Sequence, residues 1–211
     1  MANLTAIASL ATAGGTTVLA VATFVSVRSA NRSARVAERA LLAGLRPVLA
    51  PARLQDPEQK ITWGDGHWTQ LRGGLGGVES TEEVIYLSMP LRNVGSGIAV
   101  LHGWYPHPEA VVSVDDHPEP SDFRRQTRDL YVPSSDIGFW QGALRDPSEN
   151  GFAQLAGRIR DRERLAVDLL YGDHEGGQRT ISRFGLTPSE SSPEWLCSVV
   201  RHWSLDRPDP R

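Results

Sequence analysis

The stretch VIYLSMPLRNVGSGIAVLHGWY, residues 84–105, decides the fold class of this chain. Its first half alternates apolar and polar positions, which is the period of a β-strand. The apolar positions are Ile85, Leu87, Met89 and Leu91. The segment NVGSG (93–97) has the composition of a turn, and the apolar run after it fits a strand covered on both faces. The stretch therefore predicts two strands joined by a short turn.

Similar segments, separated by Gly, Pro, Asn and Asp, occur on both sides of this stretch. They predict strands over 46–51, 128–133, 138–144, 164–171, 178–186 and 195–203. One helix is predicted within 146–162, since Phe152, Leu155 and Ile159 recur at helical spacing. The Gly-rich residues 52–81 predict a long loop or irregular hairpin. This pattern predicts a mainly β fold, an immunoglobulin-like antiparallel β-sandwich over residues 46–206.

The first 27 residues predict a transmembrane helix. No charged residue lies between Ala2 and Val27, and about 20 apolar residues suffice to cross a bilayer. A cleaved signal peptide is one alternative, but it requires a basic segment before the apolar run. A buried helix of a soluble protein is the other alternative.

Residues 28–45 predict a basic juxtamembrane helical stalk, which ends near Gly44 and Pro47. Positive residues next to a span face the cytoplasm, so we expect a single-pass protein with its N-terminus outside and its β domain in the cytoplasm. The arginines are also candidates to face anionic lipid headgroups, although topology alone explains them. The candidate lipid-facing residues are Arg28, Arg32, Arg35 and Arg39.

Small residues repeat at heptad spacing along the whole predicted helix. Ala13, Ala20 and Ala34 belong to this stripe, and Ile7 and Phe24 lie off it. Small residues on one face allow two helices to approach closely in lipid. We therefore hypothesise a parallel homodimer through the N-terminal helix.

Charge and cysteine usage limit the classes of function. Residues 1–46 carry five arginines and one glutamate, and the whole chain has net charge −3, so residues 47–211 carry −7. An acidic domain without a basic stripe excludes nucleic acid as a partner. The single cysteine, Cys197, is typical of a small core residue in a reducing compartment. The tail, 207–211, predicts disorder.

Several of these segments occur together in one known group of proteins. RPVLAP (46–51), LRNVGSGIAVLHGW (91–104) and LLYGDHEGGQRTISRFGLTP (169–188) follow the basic helix. The chain resembles actinobacterial single-span membrane proteins of unknown function that carry a β-sandwich domain, and the similarity covers most of its length. The resemblance implies a membrane-anchored β-sandwich. It implies no activity and no catalytic residue.

Three features could carry chemistry. The pair His102-Gly103 is similar to an oxyanion segment of α/β-hydrolases, but such enzymes need a G-x-S-x-G elbow, which the sequence lacks. Acidic and histidine residues group at His102 with His107, at 115–117 and at 173–175. None has the spacing of a known metal motif, so we interpret them as turn residues in water, with a metal site as the alternative. The sequence indicates no cofactor.

Six tryptophans lie beyond the predicted helix, and we expect Trp104 and Trp140 to be in the core. Trp104, Tyr105 and His107 stand at a strand end, where a sandwich exposes its loops, and they form the candidate interaction rim. The alternative is that these rings only close the end of the core.

These observations predict a non-enzymatic interaction or sensing module near the inner face of the membrane, with an unknown protein partner. The alternative is a small enzyme or metal-binding domain with an unrecognised site. The first prediction rests on the absence of any catalytic motif in the sequence.

Overall fold

A computed structural model describes residues 2–109 and 112–207 of the chain. Within the first helix, side chains are described at residue 15, over 19–42 and at residue 44. The chain divides into two compact units, Met1–Ala43 and Gly44–Arg211. The predicted tail lies outside the described residues except for Arg207.

The first unit is a single helix, α1, which runs from Ala2 to Gly44. It contains no proline, and it ends at Gly44 as the sequence predicted. Among the described residues, no helix is long and apolar enough to cross a membrane. Most of the predicted span, residues 1–14 and 16–18, lies outside the described side chains.

The described residues of the second unit form eleven strands and one further α-helix, α2. The strands are β1 (Leu49–Pro51), β2 (Gln59–Thr62), β3 (Trp68–Leu71), β4 (Leu75–Ser80), β5 (Ile85–Asn93), β6 (Ala99–His107), β7 (Arg124–Val132), β8 (Ile137–Leu144), β9 (Leu165–Gly172), β10 (Thr180–Pro188) and β11 (Trp195–Ser204). The helix α2 spans Phe152–Arg160, and a 3-10 turn spans Pro120–Asp122.

The mainly β prediction and the antiparallel pairing are confirmed. The predicted strand over 84–94 is β5, and its four alternating apolar side chains are fully buried. Residues 52–81 were only partly predicted: β2 and β3 form the expected hairpin, but β4 is a strand of the main sheet. Gly76 and Gly77 in β4 leave no alternating pattern that would mark a strand.

Nine strands form one antiparallel sheet in the order β8-β5-β4-β11-β10-β9-β6-β7, with β1 beside β5 beyond the end of β4. The sheet curls into a half-barrel around the main hydrophobic core. Cys197 packs against this core, and burial raises the pKa of its thiol to about 12. The three core residues predicted for α2 are all buried.

Two tryptophans connect distant parts of the sheet through the core. Trp104 of β6 and Trp140 of β8 meet edge to face, with 5.4 Å between their ring centroids. Both side chains are buried, as predicted. Gly142 makes room for this contact, since a Cβ there would lie 2.7 Å from the Trp140 ring and 2.9 Å from the Trp104 ring.

Two smaller clusters cover the outer faces of the sheet. The β2–β3 hairpin places Ile61, Trp63 and Leu71 on the outer side of β5 and β8. Phe123, after the 3-10 turn, joins Leu170, Ile181 and Trp203 on the outer side of β9, β10 and β11.

The predicted turn at NVGSG holds the chain segment that enters β1. The buried Asn93 amide donates hydrogen bonds to Gly97 O and Val132 O, and its Oδ1 accepts them from the backbone of Val48 and Gly95. A Cβ at Gly97 would lie 1.7 Å from the carbonyl oxygen of Leu45. The turn therefore needs asparagine and glycine because residues 45–48 pass directly against it.

We expect Gly142→Ala to lower the free energy of unfolding by about 1–3 kcal/mol, because the added methyl group overpacks the two tryptophan rings. The matched control is Gly64→Ala, since a Cβ at Gly64 meets no atom within 4 Å. All six tryptophans lie in this unit, so urea unfolding followed by tryptophan fluorescence measures the effect. Equal midpoints for the two variants would contradict the packing argument.

Candidate interaction site

The predicted rim at the end of β6 is not an exposed surface. Trp104 is 4% exposed and belongs to the main core, and His107 is only 6% exposed. Tyr105 is half-buried against Phe123 and His107. The rim prediction is therefore wrong for Trp104 and His107, because β6 continues to His107 and pairs with β9 up to that residue.

His107 instead joins a buried cluster with Asp168 and Arg183 on the outer face of the sheet. Its Nε2 lies 3.0 Å from Asp168 Oδ2, an ion-pair distance, although the direction does not meet hydrogen-bond geometry. Arg183 of β10 donates two hydrogen bonds of 2.7 Å to the same carboxylate. Asp168 and Arg183 are directly opposite each other in the β9–β10 pairing.

Burial by itself would raise the pKa of Asp168, because it disfavours the charged form. The hydrogen bonds from Arg183 and the nearby His107 ring stabilise the carboxylate, and the pKa of Asp168 lies below its usual value. The Asp168 carboxylate is thus a buried anion that Arg183 and His107 hold in place. Its effect on stability depends on keeping all three side chains together.

The connection between β6 and β7 covers this cluster. Arg183 also donates to the backbone oxygens of Ser113 and Asp116, and Arg201 donates to Val114 O. The guanidinium carbons of Arg183 and Arg201 lie 4.9 and 5.4 Å from the centre of the Trp203 ring. These contacts fix the connection to the sheet, so we interpret the cluster as a structural lock.

A second buried network was not predicted from the sequence. The backbone N–H of Leu49 donates to the hydroxyl of Tyr171, which lies 2.8 Å from Ser182 Oγ. Ser182 Oγ in turn lies 2.6 Å from His202 Nδ1. Ser182 is fully buried, and the network holds β1 to the sheet through the bond between Leu49 and Tyr171.

Of the other predicted acidic and histidine residues, His102 and Asp173 lie near enough to interact electrostatically. His102 is an exposed residue at a β-bulge of β6, Asp115 pairs with Arg201, and the Asp173 side chain accepts backbone hydrogen bonds within its own turn. Among the residues that the structure describes, no group of three or more His, Cys, Asp or Glu side chains could hold a metal ion.

The strongest candidate for an interaction site is the gap between the two ends of the sheet, which we call the β7–β8 seam. β8 pairs with β5 along its length, and β7 pairs with β6, but no ladder joins β7 to β8. Gln126 Nε2 donates to Gln141 O at 2.9 Å, and Arg128 donates to the Gln141 side chain at 3.0 Å. Side chains therefore bridge the seam where a closed barrel would have backbone hydrogen bonds.

A small cavity of about 110 Å³ opens at the wide end of the seam. Its walls include Trp63, Trp104, Arg124, Arg125 and Gly142. Arg124 forms an ion pair with Glu149, and burial lowers the pKa of this arginine. At the other end the strands meet, since a Cβ at Gly138 would lie 2.8 Å from Val132.

The seam is locally basic although the domain is acidic. Arg124, Arg125, Arg128 and Arg145 border it, against the carboxylates of Asp65, Asp129 and Glu149. Arg145 is neutralised by Asp65 at 3.0 Å. Within the described residues Arg125 forms no ion pair, and Arg128 contacts only the Gln141 amide and the Phe139 ring. Two guanidinium groups are thus available to an acidic ligand.

The four candidate lipid-facing arginines, Arg28, Arg32, Arg35 and Arg39, are all exposed on α1. They lie in the half of the helix that follows the uncharged stretch.

Comparison with known proteins gives no relative. No protein-family model, curated protein or solved structure matches the chain.

We expect Asp168→Asn to lower the free energy of unfolding at pH 7 by about 3–5 kcal/mol, because it removes the charge between Arg183 and His107. The pKa of Asp168 is lower in the folded chain than in the unfolded one. Its contribution is therefore full above the unfolded pKa, which is about 4, and is lost as the pH falls through the folded pKa. Urea unfolding at pH 7 and pH 3 measures this change.

The control is Asp161→Asn, which changes a carboxylate exposed beside Arg160 and should shift stability by no more than about 0.5 kcal/mol. The free energy of unfolding is compared between Asp168→Asn and the parent chain at both pH values. A difference as large at pH 3 as at pH 7 would show that the charge of Asp168 does not cause the loss of stability.

Proposed function

We propose that the chain is a single-pass membrane protein whose cytoplasmic β domain is a non-enzymatic interaction module. The N-terminus lies outside, α1 crosses the bilayer with its uncharged half, and the domain presents a docking site close to the inner membrane surface. The β7–β8 seam supports the interaction part of this proposal. The resemblance to actinobacterial single-span proteins of unknown function is consistent with it and adds no activity.

The observation that carries the membrane part is the exposed apolar surface of α1. Leu19 is 69% exposed and Phe24 is 67% exposed, and Val21, Val25 and Val27 are exposed beside them. A surface of this kind needs lipid or another protein to cover it. Thr23 Oγ1 donates to the carbonyl oxygen of Leu19 at 2.7 Å, which is how a hydroxyl is satisfied inside a lipid-facing helix.

The exposed arginines of α1 support the orientation. Arg28, Arg32, Arg35 and Arg39 follow the uncharged stretch directly, and positive residues are retained on the cytoplasmic side of a membrane. Each can also attract anionic headgroups, with about 1 kcal/mol per residue near the surface. The small-residue stripe along α1 supports a parallel homodimer within the bilayer.

We also propose that the half-barrel is a variant of the immunoglobulin-like sandwich. The support is that the β5–β8 part and the β6–β9–β10 part of the sheet supply facing side chains to the same core. The contact between Trp104 and Trp140 joins these two parts.

The membrane proposal is tested by expressing the full chain in bacteria and washing the membranes with carbonate. We expect the chain to stay in the pellet, and the β domain to resist protease in intact spheroplasts and to be digested after lysis. Replacing all four stalk arginines with alanine should reduce the protected fraction, because the retention signal is removed. The control, Arg53→Ala with Arg160→Ala, changes two exposed arginines of the β domain and should leave protection unchanged.

Release of the chain by carbonate would contradict membrane insertion. Digestion of the domain in intact spheroplasts would contradict the cytoplasmic orientation and would indicate a secreted domain.

A further inference from the structure

The edge of β8 at the seam is covered by side chains of Trp63, Gln126 and Arg128 and has no backbone partner among the described residues. Exposed edges are normally blocked by charged residues, proline or a covering segment, because unpaired backbone groups attract another strand. Ile137–Leu144 contains neither proline nor a charged residue. Across the described chain β8 pairs only with β5, so its second edge has no ladder partner.

The facing part of β7 is also free of ladder pairing. The β6–β7 register jumps from Leu101 opposite Leu130 to Gly103 opposite Arg125. Residues 126–129 are therefore looped out of the ladder, and Gln126 and Arg128 turn their side chains to Gln141. Gln126 occupies the Gln141 carbonyl at the β8 edge through a bond that an added strand could replace, whereas Arg128 holds the Gln141 side chain.

The chemistry of the seam limits what can bind there. The cavity beside Trp63 and Trp104 is smaller than the 150 Å³ that holds a benzene ring, so it suits one aliphatic side chain. Of the arginines that border the seam, Arg125 and Arg128 form no ion pair with a described carboxylate. A segment that pairs with β8 would therefore meet a small cavity walled by Trp63, Trp104 and arginine side chains, with further positive charge along β7.

We propose that the β7–β8 seam binds an extended acidic segment of a partner protein, which adds to β8 as a strand. Its alternate aliphatic side chains face the tryptophan-lined cavity, and its carboxylates meet Arg125 and Arg128. The inference rests on the proposed function as an interaction module and names the chemistry of the partner. Electrostatic attraction selects acidic segments, and main-chain hydrogen bonds supply affinity without a fixed sequence.

The test uses the full chain in detergent micelles and a fluorescein-labelled ten-residue peptide of alternating glutamate and valine. We expect saturable binding by fluorescence anisotropy, which weakens as salt rises. A lysine–valine peptide of the same pattern should bind at least about tenfold more weakly, because its charge is reversed. A glutamate–valine peptide with alternate N-methylated amides should also lose about tenfold or more, since it cannot pair with β8.

Two protein variants locate the site. Arg125→Gln with Arg128→Gln should weaken binding of the glutamate–valine peptide by about tenfold, and Gln141→Glu should weaken it similarly by placing a carboxylate in the seam. The matched control, Arg53→Gln with Arg160→Gln, removes two exposed arginines elsewhere and should not change affinity. Urea unfolding of each variant verifies that the domain is folded.

Equal binding of the acidic and basic peptides, or full binding of the N-methylated peptide, would overturn the proposal. Binding that declines as the chain self-associates would assign the seam to a second copy instead. Carbonate extraction separates this inference from the proposed function. If the chain stays in carbonate-washed membranes but does not bind the peptide, the seam inference fails and the membrane proposal holds. If carbonate releases the chain but it binds the peptide, the membrane proposal fails and the seam inference holds.

Discussion

The edge-to-face contact between Trp104 and Trp140 sets the curvature of the sheet. β6 and β8 are near opposite ends of the strand order, and their tryptophans meet in the main core. Gly142 permits the contact, since any side chain at that position would displace the rings. With this contact in place, β7 and β8 lie beside each other, but no backbone ladder joins them. The seam is thus a consequence of how the core is packed.

Two buried polar networks then fix the connections around this core. Asp168, Arg183 and His107 attach the β6–β7 connection to the outer face, and Tyr171, Ser182 and His202 attach β1 to the inner one. Unpaired members of such networks would be costly, so both favour one arrangement of the chain.

Local patterns in the sequence predicted β5 and α2, because in each the apolar residues recur at the period of the element. The strands from β9 to β11 were predicted from apolar segments between turn residues, although the burial of β10 and β11 does not alternate. β4 was not predicted, because Gly76 and Gly77 replace the side chains that would show alternation. Gly76 packs against Leu186, which lies 110 residues away in the sequence. The need for glycine at this position therefore comes from a tertiary contact and not from the local sequence. The rim prediction failed for the same kind of reason: the ion pair of His107 with Asp168 joins residues on separate strands.

The seam itself could not be predicted from sequence. The sequence predicted strands over 128–133 and 138–144 but did not indicate whether they pair with each other. Only the packing of Trp104 on Trp140 and the bulge at 126–129 show that the ladder is absent. The seam has no ladder between its strands, β8 carries no charge, and β7 carries several arginines. In an otherwise acidic domain, we therefore propose this surface as the one that fits an acidic partner best.

The most direct test of this account is hydrogen–deuterium exchange of the full chain with and without the glutamate–valine peptide. The account predicts that backbone amides of Ile137–Leu144 gain protection on binding while those of the β2–β3 hairpin do not change. Protection that appears elsewhere, with β8 unaffected at saturating peptide, would contradict strand addition at the seam.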